Sequence, residues 1–361
     1  MAVAACDDCL RRTDLVAGLA GHIEVAWRDA GPPRRLLAQP DDVLLDLDGS
    51  RLAARRYARF DATAERRRIA EADLEAVCLC APGYPARVRE LEDPPAVLHL
   101  GGDRRALDAG EAVALVGARR ASPYGIEVAA RLGRELSTAQ VPVVSGMALG
   151  VDSAAHAGAL EGPGLTIAVL AGGADVPYPA SKRRLHAEIL RRGAVVSELP
   201  PGFRAHRWCF VARNRLIAAL ATVVVIVEGT ARSGSLITAG FAADLGRTVG
   251  AVPGQVTSQL AAGTNALLAD GAPLIREAAD VLDHLPGMGE TARAELGHSA
   301  RVSGLSAELG DLLAAIEAGH GTLSELAVAG REPRAVLRGL TELEVRGFVR
   351  RGFGGRYVRA A

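Results

Sequence analysis

The stretch AVALVGARRASPYG, residues 112–125, combines a short aliphatic run, a glycine, two arginines and the start of a helix-length segment. This alternation recurs along the middle of the chain. Apolar runs occupy residues 112–116, 142–145, 166–170, 194–197, 222–227 and 248–252. Helix-length segments between them include residues 124–139, 181–192 and 235–245. Apolar strands separated by helices predict an α/β domain with a parallel sheet covered on both faces.

The regions on either side differ in pattern, and 361 residues are enough for two or three domains. Residues 1–105 carry short helical patterns broken by proline and glycine, which predicts a small helical N-terminal domain. We expect the α/β domain to span residues 106–285. A polar stretch at 286–303 that contains several glycines is typical of a linker. Residues 304–361 form the last predicted domain.

This last domain has three helical segments followed by an alternating stretch around two adjacent glycines, which predicts a winged helix. Residues 331–361 hold eight arginines and three glutamates, a net charge of +5. Such a surface suits DNA. Winged helices also serve as protein-interaction modules, and the sequence leaves both roles open. The predicted elements are helices at 308–318, 323–329 and 333–346 and a hairpin at 348–358.

Composition restricts the class of protein. Apolar residues make up 49% of the chain and charged residues 23%, which excludes a collagen-like or wholly disordered protein. The 42 basic and 42 acidic residues cancel, so any nucleic-acid surface must be local. No signal peptide is visible, and the longest apolar run, residues 216–227, is too short to span a bilayer. We therefore expect a cytoplasmic protein with no membrane partner.

Ligands of open α/β sheets bind beyond the carboxyl ends of the strands, and two cations are predicted there. Arg119 follows the first strand at a helix start, which suits an anion, with a surface ion pair as the alternative. The glycine spacing of a dinucleotide site is absent from this loop. Lys182 is the only lysine of the chain and follows the loop GGADVPYP, residues 172–179. A ligand phosphate would explain a cation near the start of a helix.

The loop after the second strand belongs to the segment SGMALGVDSAAH, residues 145–156. Ser145 and Gly146 lie where backbone N–H groups could hold a phosphate. Asp152 and His156 are four residues apart and so share a helix face. They form either an acid/base pair or, as we favour, a structural hydrogen bond that holds the loop.

The segment HRWCFVARNR, residues 206–215, places aromatic residues beside three polar ones, Arg213, Asn214 and Arg215. Aromatic rings and guanidinium groups together suit single-stranded nucleic acid, because bases stack and phosphates bind cations. The alternative is that Trp208 and Phe210 are anchors of the core.

A final group of small polar residues opens the helix after the fifth strand: Ser233, Gly234 and Ser235. A helix start of this kind is suited to an anion. No strand-end loop offers a nucleophile with its partners at a recognisable spacing. The pattern therefore predicts binding without a catalytic residue.

Cysteine spacing argues against a metal site. The chain has a CxxC pair, Cys6 and Cys9, and a CxC pair, Cys78 and Cys80. About seventy residues separate the two pairs, whereas zinc sites usually bring their second pair much closer in sequence. We therefore predict no metal and no cofactor.

Six of these segments carry a family resemblance. They are VGARRASPYG, SGMALGVDSAAH, GGADVPYP, FVARNRLIAAL, RSGSLITA, and VPG followed by GTNALLADGA, in this order within residues 113–272. Together they resemble the DprA/Smf family of bacterial DNA-processing proteins. The resemblance implies a Rossmann-like domain that binds single-stranded DNA without hydrolysing it. It also implies a homodimer that protects incoming strands during natural transformation and helps to load the RecA recombinase.

The resemblance also assigns roles to individual residues. Phe210 would stack on a base, although the family often has a proline just after it, where Val211 and Ala212 stand here. Asn214 belongs to the same DNA-binding motif. Backbone or hydroxyl contacts would come from Ser145, Gly146, Ser233, Gly234 and Ser235. The cationic contacts to DNA would be Arg119, Lys182, Arg213 and Arg215.

Two other functions remain as alternatives. The triplet Glu228-Gly229-Thr230 matches part of a motif of Rossmann-like phosphoribohydrolases, which act on nucleoside monophosphates, but the double glycine that precedes it there is absent. The other alternative is a transcription regulator that acts through residues 304–361 on duplex DNA.

Overall fold

The computed structural model describes residues 5–30, 34–48, 51–108, 110–287, 306–317, 319–327, 332–346, 348–352 and 355–359. The chain forms two compact units, residues 1–292 and 293–361. The predicted linker at 286–303 lies outside the described residues from position 288 onward.

The first unit is built on a mostly parallel sheet. Its strands are β1 (Glu75–Cys78), β2 (Val97–Gly102), β3 (Val113–Val116), β4 (Val143–Ser145), β5 (Thr166–Val169), β6 (Ala194–Ser197), β7 (Val223–Ile226) and β8 (Thr248–Ala251). Within the described residues they form one sheet in the order β1-β2-β6-β5-β4-β3-β7-β8. The pairs β1–β2 and β2–β6 are antiparallel, and the other neighbouring pairs are parallel.

Helices lie before the sheet in sequence, between its strands and after its last strand. They are α1 (Asp7–Gly18), α2 (Ala20–Ala30), α3 (Arg34–Leu37), α4 (Asp41–Leu45), α5 (Arg51–Ala58), α6 (Ala62–Glu71), α7 (Ala86–Arg89), α8 (Arg105–Asp108), α9 (Pro123–Thr138), α10 (Val151–Glu161), α11 (Arg183–Arg192), α12 (Arg207–Leu220), α13 (Gly234–Asp244), α14 (Ala262–Ala269) and α15 (Ala278–Leu282). Short 3-10 helices occupy Asp46–Asp48, Ala180–Lys182 and Gln259–Ala261.

The predicted α/β architecture is confirmed. All six predicted apolar runs are strands, β3 to β8, and nearly all of their residues are buried. Continuous burial is expected when helices cover both faces of a parallel sheet. The strand order reverses at β3, which pairs with β4 on one side and β7 on the other. Such a switch point opens a crevice at the carboxyl ends of the strands.

The prediction of a small helical domain over residues 1–105 did not include two strands. Strands β1 and β2 lie within it and extend the central sheet through the β2–β6 pair. The backbone of Leu100 in β2 is in register with Val196 in β6. The region before residue 105 thus shares the sheet of the α/β domain.

The N-terminal helices are anchored to the sheet unit through Trp208 at the start of α12. This indole is fully buried. Its Nε1–H donates to the carbonyl of Ala20 at 3.1 Å, and its backbone N–H donates to Glu24 at 3.0 Å. Trp208 is therefore the core anchor that the sequence offered as an alternative, and it fixes the first turn of α12.

The second unit contains helices α16 (Ala307–Glu317), α17 (Leu323–Ala327) and α18 (Pro333–Val345). They are followed by strands β9 (Val349–Arg351) and β10 (Tyr357–Arg359), which pair antiparallel. Its own apolar core includes Leu313, Leu340 and Leu343. In the part of the chain that the structure describes, no helix combines the length and apolar character needed to cross a bilayer.

Trp208→Ala should lower the free energy of unfolding by about 3–5 kcal/mol, because it removes a large buried ring and leaves a cavity. Trp208→Phe keeps a six-membered aromatic ring but loses the fused five-membered ring with its Nε1–H donor, so its loss should be smaller, about 1–3 kcal/mol. Urea denaturation followed by circular dichroism measures both. Equal losses in the two variants would contradict the role given to the volume of the ring.

Candidate functional site

A cavity of about 550 Å³ opens at the switch point of the sheet. One wall is the loop after β3, residues 117–120, and another is the exposed side of α12 from Phe210 to Asn214. The loop after β7 and the first turn of α13 close it with Thr230 and residues 233–235. The elements that line the cavity are thus those whose loops the sequence analysis singled out.

Three side chains form a stack at the mouth of this cavity. The guanidinium carbon of Arg119 lies 5.0 Å from the centroid of the Phe210 ring. Phe210 also contacts Tyr178, with ring centroids 5.1 Å apart and planes tilted by 53°. Arg119 and Phe210 also line a smaller neighbouring cavity of about 80 Å³, together with Tyr178 and Pro179. We call Arg119, Phe210 and Tyr178 the aromatic stack.

Arg119 is exposed, and among the described residues no carboxylate pairs with it. Within the described residues, Arg119 therefore does not form the surface ion pair that was the alternative. Tyr178 was missed by the sequence analysis, although it stands between two prolines in the quoted loop GGADVPYP. Its side chain is 48% exposed. The sequence signal that could have identified Tyr178 is an aromatic residue between two prolines in a stiff loop at a strand end.

Small polar residues at the N-terminus of α13 face the same cavity. Ser233 is the N-cap, and its Oγ accepts a hydrogen bond from the backbone N–H of Ser235. The two hydroxyl oxygens are 2.7 Å apart. Asn214 on α12 donates to the carbonyl of Gly234 at 3.2 Å and so joins the two helices. The positive end of the α13 dipole points toward this wall of the cavity.

Arg213 lies beneath the cavity, and its guanidinium is buried. It donates to the carbonyl of Gly146, at the end of β4, and to that of Val169, at the end of β5. Burial lowers its pKa to about 10, although the Asp152 carboxylate opposes the shift. The group therefore stays charged at neutral pH, and Asp152 compensates its charge.

The predicted contacts of Ser145 and Gly146 to DNA are not supported by their surroundings. Ser145 is buried, and its Oγ donates to the carbonyl of Leu115 at 2.6 Å. The N–H of Gly146 already donates to the Asp152 carboxylate at 3.1 Å. Both groups are therefore satisfied within the protein and hold the loop after β4.

Asp152 and His156 do not form an acid/base pair. The buried ring of His156 bonds Thr166 Oγ1 at 2.7 Å, and burial lowers its pKa to about 3. Asp152 instead holds the loop through Gly146, which is the structural role we favoured. The loop enters α10 at Gly150 with φ of 80°, and a Cβ there would lie 2.2 Å from the carbonyl oxygen of Ala118. Only glycine lets the loops after β3 and β4 approach so closely.

Arg215 must be removed from the predicted phosphate contacts. Its side chain is only 2% exposed and forms ion pairs with Asp93 at 3.0 Å and Glu198 at 2.7 Å. A guanidinium neutralised by two carboxylates in the core cannot also bind a phosphate. Arg215 instead fixes α12 to the segments that contain its two partners.

Lys182 ends the short helix Ala180–Lys182 and is half-buried. It follows Pro179 of the smaller cavity along the chain but is not among the described residues that line either cavity. The structure therefore brings Arg119, Phe210, Asn214 and residues 233–235 together and leaves Lys182 at the side.

Glu228, the acidic residue of the hydrolase alternative, is buried. Its two carboxylate oxygens accept hydrogen bonds from the backbone N–H of Ser122 at 2.9 Å and from its hydroxyl at 2.6 Å. Glu228 thus holds the start of α9 in place. Its carboxylate is committed to this contact, and it does not belong to the described lining of the cavity.

The structure corrects the argument from cysteine spacing. Cys6, Cys9, Cys78 and Cys80 come together, with their sulfur atoms all within 4.8 Å of one another. About seventy residues separate the two pairs in sequence, but the start of α1 lies beside the end of β1, and this brings the four sulfur atoms together. The cluster lies at the β1 edge of the sheet, away from the cavity at β3 and β7.

Comparisons with known proteins agree with this architecture. The family model for DNA recombination-mediator protein A matches residues 75–286. A putative DNA processing protein DprA from Mycobacterium tuberculosis is 44% identical over 269 residues, which cover 73% of this chain and 69% of the relative.

Two solved structures are also similar. DNA processing protein A from Streptococcus pneumoniae aligns with a TM-score of 0.62 and 32% identity over 76% of this chain and 95% of that one. The Helicobacter pylori protein, solved to explain its single-stranded DNA binding mode, aligns with a TM-score of 0.53 and 33% identity over 58% of this chain and 94% of that one. Since the family model spans more than half of the chain and a 44% identical relative covers most of it, this chain belongs to the DNA recombination-mediator protein A family, also called DprA/Smf.

Proposed function

We propose that this chain binds single-stranded DNA, without catalysis, in the cavity between the loops after β3 and β7. The observation that carries the proposal is the aromatic stack: an exposed Arg119, with no carboxylate partner among the described residues, lies over the ring of Phe210 beside the cavity. The guanidinium of Arg119 suits a phosphate, and the ring of Phe210 suits a base. The single-stranded DNA binding of the H. pylori relative supports the same ligand class.

The phosphate would lie between Arg119 and the first turn of α13. There the hydroxyl pair of Ser233 and Ser235 and the positive end of the α13 dipole face the cavity. Arg120 is also exposed and lines this side of the cavity. Arg213 lines the floor, but its guanidinium is compensated by Asp152 and bonded to two carbonyls, so it supports the cavity and is not a phosphate contact in this proposal.

The base would stack on the aromatic pair of Phe210 and Tyr178. Tyr178 is about half exposed and Phe210 is half-buried, so part of each ring is accessible. Stacking on aromatic side chains contributes about 1–3 kcal/mol per base and tolerates any sequence. Binding that depends on stacking and phosphate contacts favours single strands, because the bases of a duplex are already stacked.

The wider role proposed for the chain follows from its family. We propose a cytoplasmic homodimer that protects incoming single strands during natural transformation and helps to load RecA. The three helices and antiparallel strand pair of the second unit support a winged helix for residues 304–361. Sedimentation of the purified chain, alone and with RecA, tests both associations. A monomer would overturn the dimer, and failure to co-sediment would overturn the RecA partnership.

Arg119→Ala should weaken binding to a labelled single-stranded oligonucleotide and flatten its salt dependence. If three or four phosphates are neutralised, the log–log slope of affinity against salt should be about −2 to −3, and losing one contact should reduce it by about 0.7. Fluorescence anisotropy over a salt series measures both. The matched control is Arg191→Ala, an exposed arginine at the end of α11 that precedes the amino end of β6. An identical slope for Arg119→Ala and wild type would contradict the phosphate contact.

Phe210→Ala should weaken single-strand binding by about 1–3 kcal/mol, roughly 5- to 150-fold, while leaving the salt slope unchanged. Phe210→Tyr keeps the ring and should bind nearly as tightly as wild type. The same anisotropy titrations, with a duplex of equal length beside the single strand, separate stacking from charge. Tight duplex binding that neither Phe210→Ala nor Arg119→Ala affects would place the activity elsewhere, most directly in the second unit.

The chain should release no free base from a nucleoside monophosphate, even at high protein concentration. The reason is that both oxygens of Glu228 are committed to Ser122. Chromatography of the reaction mixture detects the base. Release that disappears in Glu228→Gln would favour the phosphoribohydrolase alternative instead.

A further inference from the structure

Four cysteines from two distant parts of the sequence meet at one edge of the sheet. Cys6 is the N-cap of α1, and Cys9 lies within its first turn. Cys78 is the last residue of β1, and Cys80 follows it in the next turn. Each residue contributes one sulfur atom, and the four atoms lie within 4.8 Å of one another.

The spacing of the sulfur atoms fits a tetrahedral metal site. With Zn–S bonds of about 2.3 Å, two sulfurs of a tetrahedron are about 3.8 Å apart. The Cys9 and Cys80 sulfurs are 3.7 Å apart. A disulfide would need about 2.0 Å, and none of the four cysteines forms one.

We propose that Cys6, Cys9, Cys78 and Cys80 bind one Zn²⁺ ion as a structural tetrathiolate site. Four sulfur ligands complete the tetrahedron and leave no open position for a substrate, so the site is structural rather than catalytic. Thiolate sulfur favours zinc over magnesium or calcium, which prefer oxygen ligands.

Groups around the cluster suit the negative charge of four thiolates. The backbone N–H of Cys6 donates to the sulfur of Cys78 at 3.4 Å. Cys6 is the N-cap of α1, so it lies at the positive end of the helix dipole. A divalent cation would compensate the remaining charge of four thiolates held within 4.8 Å of one another.

The site would cross-link the N-terminal helices to the sheet. Cys6 and Cys9 belong to α1, whereas Cys78 and Cys80 belong to β1 and the turn after it. Apolar neighbours of the cluster, including Leu10, Ile69 and Leu74, keep water from one side of it. The binding energy of the metal therefore stabilises the docking of α1 on β1. This inference does not depend on the proposed DNA site, which lies at β3 and β7.

Metal analysis of the intact chain tests the proposal. The chain should be expressed in zinc-supplemented medium and purified without a polyhistidine tag under reducing conditions. Inductively coupled plasma mass spectrometry should find one zinc per chain. Cys9→Ser with Cys80→Ser should lose this zinc. The control Cys209→Ser changes a buried cysteine outside the cluster and should keep it.

A second measurement on the wild-type chain covers the case in which the double variant does not fold. After chelation and reconstitution with Co²⁺, the protein should show the thiolate charge-transfer and intense d–d bands of tetrahedral tetrathiolate cobalt. Chelation should also lower the midpoint of thermal unfolding, and added zinc should restore it. Background zinc together with no cobalt bands would overturn the proposal. So would a Cys9–Cys80 disulfide in the freshly isolated protein, and one iron per chain in place of zinc would overturn the metal assigned.

Discussion

The floor of the candidate site depends on one buried charge, the guanidinium of Arg213. It holds the carbonyls of Gly146 and Val169 at the ends of two neighbouring strands. A Cβ at position 146 would lie 2.1 Å from this guanidinium, so the arrangement needs glycine there. Asp152 compensates the charge and binds the N–H of the same glycine. An uncompensated buried charge would cost several kcal/mol, so the loop after β4 is fixed by the same contacts that support the cavity.

Above this floor, different residues supply the charge and the aromatic surface. Arg213 and Arg215 are buried and act within the protein, whereas Arg119 is exposed and is the one that can meet a ligand. The sequence could not make this distinction. Residues two apart on an α-helix point about 200° apart, so 213 and 215 leave opposite sides of α12. Both are buried because their partners come from other segments: Gly146 and Val169 for Arg213, and Asp93 and Glu198 for Arg215.

Much of the fold could be predicted because burial on both faces gives each central strand a continuous apolar run. That signal located β3 to β8 within one or two residues. Strands β1 and β2 were missed because polar residues, Glu75 in β1 and His99 in β2, break up their short apolar runs. Loop positions at the site were also predictable, since they follow strand ends. Partners such as Leu115 for Ser145 and Ser122 for Glu228 were not, because they arise only from tertiary packing.

The same limit explains why the cysteine cluster could not be predicted from spacing. Metal-site spacing rules describe ligands held by one local loop, whereas here a helix start and a strand end supply two ligands each. Strand β1 lies at the edge of the sheet and, within the described residues, has β2 as its only neighbour. A short edge strand is held by few backbone hydrogen bonds and is open to pairing with other chains. A metal cross-link from Cys78 and Cys80 to α1 would give β1 a second attachment, in addition to its backbone hydrogen bonds to β2.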